Sequence, residues 1–235
     1  MEQFYSIAGL VVKMDTFGRT LKQAEPYVCS AAEPDMVIHA DWKALQQSNP
    51  HLSADDSEYI LTGLHFYHQL LAKGGIMLHA SAVVVDGEAY LFSAPSGTGK
   101  STHTALWLKC FGERAFLLND DKPALRLEDG KWYAYGTPWS GKEALNTNYR
   151  APLKGICFLS RGEQNRIAPF TGANAIRSFL EQTVRPGAEN ARIRIMELLD
   201  ALFRAVPVWK MECNMELDAA RLAFETMSRH TEKEN

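Results

Sequence analysis

The run Ala89-Tyr90-Leu91-Phe92-Ser93 leads directly into Ala94-Pro95-Ser96-Gly97-Thr98-Gly99-Lys100-Ser101, and residues 102–109 continue as Thr-His-Thr-Ala-Leu-Trp-Leu-Lys. The first five residues are apolar and β-prone and read as a strand. Residues 102–109 read as a helix, with Ala105, Leu106 and Leu108 expected to face inward. The loop between them has the chemistry of a phosphate cradle. Gly97 and Gly99 carry no Cβ and enter the positive-φ region cheaply, so backbone N–H groups can converge on phosphate oxygens. Lys100 can reach β- and γ-phosphates as a point charge, and the Ser101 hydroxyl can ligate Mg²⁺. The helix that follows aims its partly positive N-terminus at the same place. Such loops usually open with Gly, where this chain has Ala94, a small residue suited to a negative φ. A chance Gly-rich turn is the bland alternative, but it gives no reason for Lys-Ser at this spot. The expected ligand is a nucleoside triphosphate, taken as ATP, with Mg²⁺. Residues Pro95, Ser96, Gly97, Thr98, Gly99, Lys100, Ser101 and Thr102 are its expected contacts.

Working outward, residues 82–85 form a strand, and Asp86-Gly87 marks a hairpin turn into the strand before the loop. The loop is therefore expected to follow a strand paired antiparallel to its predecessor. Residues 115–118 read as a buried strand that ends in Asn119-Asp120-Asp121. Residues 124–127 and 132–135 form a second hairpin around Asp129-Gly130, and 156–159 form another buried strand. Helices are expected over 174–182, 191–204 and 217–227, with a strand over 206–211 and a frayed end at 231–235. Before the loop, residues 5–14 read as one strand and 36–40 as another. Ser53 looks like a helix N-cap with Asp56 as its capping-box partner. Ile60, Leu61, Leu64, Tyr67, His68 and Leu71 then recur at helical spacing until Gly74-Gly75. Strands and helices mix without regular βαβ alternation. The expected fold is an α/β domain with a mixed sheet over residues 75–235, with a small N-terminal layer over residues 1–74 packed on it.

The composition excludes several function classes. Of 235 residues, 46% are hydrophobic and the net charge is −3, so no basic surplus marks a nucleic-acid partner. No basic-then-apolar N-terminal segment and no stretch of about 18 apolar residues is present, which predicts a cytoplasmic chain with no membrane partner. Cys29, Cys110, Cys157 and Cys213 lack short paired spacing. They read as reduced, mostly buried thiols and not as a zinc site. An oligomer of identical chains is left open.

Two acids at a strand end are the next chemical signal. Neighbouring side chains on a strand point to opposite faces, so Asp120 and Asp121 should have different tasks. One can hold Mg²⁺ and the other face an acceptor hydroxyl. A solvated strand end is the alternative. His79 precedes the first hairpin and is weighed ahead of His39, His51, His65, His68, His103 and His230. Trp132, Tyr135, Trp139 and Lys142 form either a packed hairpin or an acceptor or adenine pocket with Lys142 near the phosphates.

Leu78-His79-Ala80-Ser81-Ala82, the first hairpin, residues 95–101 and Asn119-Asp120-Asp121 together resemble the catalytic domain of HPr kinase/phosphorylase. That family shares a P-loop fold with ATP-dependent phosphoenolpyruvate carboxykinase. His79 lies 21 residues before Lys100, a spacing that resembles the family's. The resemblance covers roughly residues 75–190 and implies an ATP-dependent kinase that phosphorylates a hydroxyl. The acceptor would be a serine of a protein or peptide, or a small molecule. It implies Asp120 as general base, His79 as its tuning partner, and Lys100 as phosphate ligand. It also implies Asp121 and Ser101 as metal ligands, with Glu143 as a further one. Val184-Arg185-Pro186-Gly187 resembles the family's loop near the transferred phosphate, and otherwise reads as a simple interhelical loop. The first 70 residues do not resemble that family's usual N-terminal domain, so the chain looks like its shorter, divergent relatives. Two other readings stand beside the kinase: a nucleotide-binding regulatory or assembly protein with little catalysis, and a carboxykinase-like lyase.

Overall fold

A computed structural model describes residues 2–31 and 33–229. His230 and the end at 231–235 lie outside the described residues. The chain opens with β1 (Glu2–Ile7) and β2 (Leu10–Asp15), an antiparallel hairpin. The sequence reading of one strand over 5–14 is therefore corrected. Ala8 and Gly9 both take positive φ, 51° and 72°, and form a tight turn inside an unbroken apolar run. Helix α1 (Gly18–Ala24), strand β3 (Met36–Ile38), helix α2 (Trp42–Ser48) and helix α3 (Ala54–Ala72) follow. β3 pairs parallel to β2 and completes a three-stranded sheet. Ser53 caps α3: its Oγ accepts the Asp56 N–H at 3.0 Å and donates to Asp56 Oδ2 at 2.7 Å. The buried face of α3 is not simply the apolar stripe, since Ile60 is 44% exposed. Tyr59, Thr62, Gly63, Phe66, Tyr67 and Leu70 are among the residues that turn inward, because the N-terminal sheet offers an aromatic core to that face, while Leu71 joins the core of the larger sheet.

The larger sheet is mixed. Its strands are β4 (Gly75–Met77), β5 (Ala80–Val85), β6 (Glu88–Ser93), β7 (Ala115–Asn119), β8 (Ala124–Glu128) and β9 (Lys131–Tyr135), then β10 (Arg150–Arg161), β11 (Arg166–Pro169) and β12 (Val208–Cys213). Helix α4 (Lys100–Phe111) follows β6; α5 (Gly172–Glu181) and α6 (Glu189–Ala205) precede β12; α7 (Leu217–Ser228) follows it. Both expected hairpins form, with Asp86-Gly87 and Asp129-Gly130 at positive φ. β10 is the central strand. It runs antiparallel to β9 over residues 150–152, parallel to β6 over 153–158 and parallel to β12 over 156–161.

Alternation along the strands sorts the core onto two faces. Val84, Leu91, Ile156 and Phe158 meet Phe179 of α5 and Ile195, Leu198, Leu199 and Leu202 of α6. Val83, Val85, Tyr90, Phe92 and Cys157 meet Trp107 of α4 and Ala219, Ala220, Ala223 and Met227 of α7. On α4 the inward residues are His103, Thr104, Leu106 and Trp107, while Ala105 is exposed, a correction of the expected face. β7 sits at the end of the sheet order, so only Leu118 and Asn119 are buried in it, and Phe116 is 36% exposed. The four cysteines are free thiols, but only Cys157 is buried. No helix among the described residues is long and apolar enough to cross a membrane.

Candidate functional site

Strand directions gather the candidate residues at one edge. β6, β10 and β12 are parallel, and β5 is antiparallel to both β6 and β7, so β7 runs with them. Ser93, Asn119, Arg161 and Cys213 therefore end their strands at the same edge, and His79 enters β5 from it. The crevice outside the carboxyl ends of strands is where open α/β sheets bind ligands. A cavity of about 940 Å³ lies here, lined in part by residues 96–103, His79, Asp120, Asp121, residues 140–143, Arg161 and Met215.

The loop has the backbone its sequence requires. Gly97 and Gly99 adopt φ of 76° and 120°, and a Cβ on either would meet no atom within 4 Å. Glycine is needed here for conformation and not for space. The Thr98 N–H donates to Pro95 O at 3.2 Å, and Pro95 itself stays off the cavity wall. Lys100 is 7% exposed and donates from Nζ to Ala94 O at 2.9 Å. Burial lowers its pKa, and the charges of Asp121 and Asp120 pull it back up. Ser101 and Thr102 stand exposed on the first turn of α4, facing the cavity.

The two carboxylates are held by different partners. Asp120 Oδ1 accepts from Ser81 Oγ at 2.6 Å, and Ser81 Oγ lies 2.8 Å from Thr104 Oγ1 on α4. Asp121 Oδ1 lies 3.2 Å from His79 Nε2, and its Oδ2 receives Lys122 Nζ. His79 thus pairs with Asp121, where the sequence reading set it beside Asp120. The cause is register: the Ala80 N–H donates to Asp121 O at 3.1 Å, which sets His79 against Asp121 and leaves Ser81 for Asp120. Burial raises the Asp121 pKa, but His79 and Lys122 outweigh it and hold the carboxyl below its ordinary value. The other ring nitrogen of His79, Nδ1, lies 3.0 Å from Gln182 Oε1.

Residues 140–143 line a further part of the cavity, and the N-terminal layer holds the segment from Trp139 onward in place. Trp139 is fully buried, stacks on Phe66 at 4.8 Å and donates from Nε1 to Thr62 Oγ1 at 3.2 Å. Gln23 of α1 donates to Gly141 O at 2.9 Å and accepts from Ser140 Oγ at 3.1 Å. The Gly141 N–H donates to Tyr59 Oη at 2.9 Å. Trp132, Tyr135 and Trp139 are accordingly core residues, and the aromatic-pocket alternative is corrected. Lys142 and Glu143 do line the cavity and are exposed. The loop at residues 184–187 does not line it: Val184 packs against the N-terminal core, and Arg185 Nε donates to Leu180 O.

The profile of one protein family, described as SynChlorMet cassette protein ScmC, matches residues 58–216, more than half of the chain. The chain belongs to this family. The matched span begins within α3 and ends just after β12, so it contains every cavity residue named above. No curated protein matches the chain. Among solved structures, an Hpr(Ser) kinase/phosphatase from Coxiella burnetii is similar to it, with a TM-score of 0.36 and 13% identity. That likeness covers 65% of this chain and 93% of the other. It is too distant to carry an activity over.

Several residues that shape the site, some behind the cavity and some on its wall, escaped the sequence reading. Ser81, Thr104 and Gln182 act on the acids and His79 through contacts that no local pattern announces. Asn119 did carry a signal, an Asn at a strand end before a turn. Its Oδ1 accepts the N–H groups of Asp121 and Lys122 at 2.9 and 2.8 Å and so shapes the acidic turn. Arg161, Asn214 and Met215 reach the cavity only because β10 and β12 run parallel to β6.

Proposed function

We propose that this chain is a kinase that uses MgATP to phosphorylate a hydroxyl group, on a serine of a protein or peptide or on a small molecule. The observation that carries the reading is one cavity in which a glycine-rich loop with Lys100 and Ser101 faces two carboxylates held by unlike partners. The triphosphate lies along residues 96–102, with Lys100 leaving Ala94 O for phosphate oxygens. Mg²⁺ enters with the nucleotide. Among the described residues no cluster of three or more His, Cys, Asp or Glu side chains could hold a metal. Mg²⁺ ordinarily keeps several waters and the phosphates and takes one or two protein oxygens. Ser101 and Asp121 are those oxygens, and Glu143 stands on the rim as a further one. Asp120 takes the proton of the acceptor hydroxyl. The hydroxyl oxygen bonds to the γ-phosphorus as the bond to the β–γ bridging oxygen breaks, and ADP leaves. The base and ribose extend the other way, toward Leu106, Asn214 and Met215, where Met215 is 76% exposed on the cavity rim. The direct test is transfer of label from γ-labelled ATP into a panel of serine peptides, small acceptor proteins and hydroxylated metabolites.

Two further results are expected. Lys100→Ala should weaken MgATP binding by about 2–4 kcal/mol, the scale of a lost buried charge-assisted contact. Calorimetry on both proteins measures it, and equal binding would remove the loop from the nucleotide site. Ser101→Ala and Asp121→Asn should each lower affinity for MgATP more than for metal-free ATP. Equal losses with and without Mg²⁺ would make these residues structural. His79→Ala should follow Asp121→Asn in this comparison, since His79 holds Asp121.

A further inference from the structure

We propose that Arg161 is a positioning residue for the phosphate loop, holding the Gly97 and Thr98 carbonyls so that the loop keeps the backbone form that receives a phosphate. The inference rests on the reading of residues 94–101 as a phosphate cradle. Nothing packs against the open side of Gly97 or Gly99: chain neighbours aside, no atom lies within 4 Å of where a Cβ on either would stand. Two side-chain cations bind its carbonyls. Lys100 Nζ binds Ala94 O, while Arg161 donates from Nε to Thr98 O at 3.1 Å and from Nη2 to Gly97 O at 2.5 Å.

In a trans peptide the carbonyl and the following N–H point opposite ways. Holding Thr98 O on the Arg161 side therefore turns the Gly99 N–H to the other side. Holding Gly97 O likewise fixes the peptide whose Thr98 N–H closes the turn onto Pro95 O. Lys100 must give up Ala94 O to meet a phosphate, whereas Arg161 can keep both of its carbonyls as the nucleotide arrives. A forked guanidinium suits two neighbouring acceptors in a way that a single ammonium does not. The sheet supplies the residue. Phe158 is in register with Ser93, so β10 ends beside β6 and delivers Arg161 to the loop that β6 feeds.

The experiment compares wild type, Arg161→Gln, Arg161→Lys and Lys100→Ala. It combines MgATP titration with amide hydrogen exchange on the nucleotide-free proteins. Arg161→Gln is expected to weaken MgATP binding roughly ten- to hundred-fold. In the free protein it should speed exchange at residues 97–101 and leave β10 and the second half of α4 unchanged. Arg161→Lys should fall between it and wild type. Unchanged affinity in Arg161→Gln would overturn the proposal. So would lost affinity with unchanged loop exchange, because the guanidinium would then be meeting the nucleotide directly. The Lys100→Ala arm separates the two readings. If it binds MgATP as wild type does, the phosphate cradle itself fails. If it loses binding and Arg161→Gln does not, only the role of Arg161 fails.

Discussion

Asp120→Asn is expected to leave MgATP affinity within a few-fold of wild type while lowering phosphate transfer by roughly 10²–10⁴, the span of general-base catalysis. Phosphoryl transfer depends mostly on positioning and charge stabilisation, so a protein can hold ATP well and transfer nothing. What distinguishes a kinase is a carboxylate placed to receive the acceptor's proton. Asp120 is the better candidate of the adjacent pair because of its partners. Asp121 has one oxygen at His79 and the other at Lys122, a setting that favours a lasting negative charge. Asp120 is bound by a neutral hydroxyl, Ser81 Oγ, at Oδ1. Asparagine keeps the size of the side chain and an oxygen for Ser81, so fold and nucleotide binding should survive the change. The measurement is single-turnover transfer with the best acceptor of the panel, beside an ATP titration. A parallel loss of ATP affinity would move Asp120 to the metal. If wild type transfers to no acceptor, and Asp120→Asn leaves slow hydrolysis unchanged, the nucleotide-binding regulatory reading replaces the kinase.

The parts of this molecule that were legible in the sequence are those encoded within a few residues of themselves. The glycine-rich loop, the Asp86-Gly87 and Asp129-Gly130 turns and the Ser53 cap each depend on local backbone chemistry, and each takes the expected backbone form. Features that depend on register between distant segments were not legible. Ala8-Gly9 turns a single apolar run into a hairpin because both residues accept positive φ, although Ala is a weak turn signal. The partner of His79 was misread because strand periodicity says which face a side chain takes but not which residue lies opposite. A single hydrogen bond, from the Ala80 N–H to Asp121 O, decides between Asp120 and Asp121. β10 was read as four apolar residues because its flanks are mixed. Its 12-residue length follows from three neighbours that claim different stretches of it, and those pairings bring Arg161 and Met215 to the cavity. The role of the N-terminal layer was hidden for the same reason, since nothing near Gln23 or Tyr59 points to Gly141.

That layer's hold on the site leads to the last expected result. Trp139→Ala should lower folding stability by about 3–5 kcal/mol, the range for removing a large buried aromatic. The indole fills the junction between α3 and the segment at residues 139–143, stacked on Phe66, edge-on to Tyr67 and bonded to Thr62. Its loss leaves a cavity and also frees the wall that carries Lys142 and Glu143. Denaturant unfolding should show a lower midpoint at an unchanged slope. A loss under about 1 kcal/mol would mean that the segment is held without the indole. Gly63→Ala tests the same junction from the other side, through the sign of its effect. In a helix that change ordinarily stabilises by about 1 kcal/mol. Here an added Cβ would stand 2.9 Å from Trp139 Cδ1 and 3.1 Å from Nε1, so the indole must move. Overpacking of this kind costs roughly 1–3 kcal/mol, which exceeds the propensity gain, and Gly63→Ala should therefore be destabilising. In the Trp139→Ala background the clash is gone, and the same substitution should turn neutral or stabilising. Additive losses in that double mutant would show that Gly63 and Trp139 do not meet.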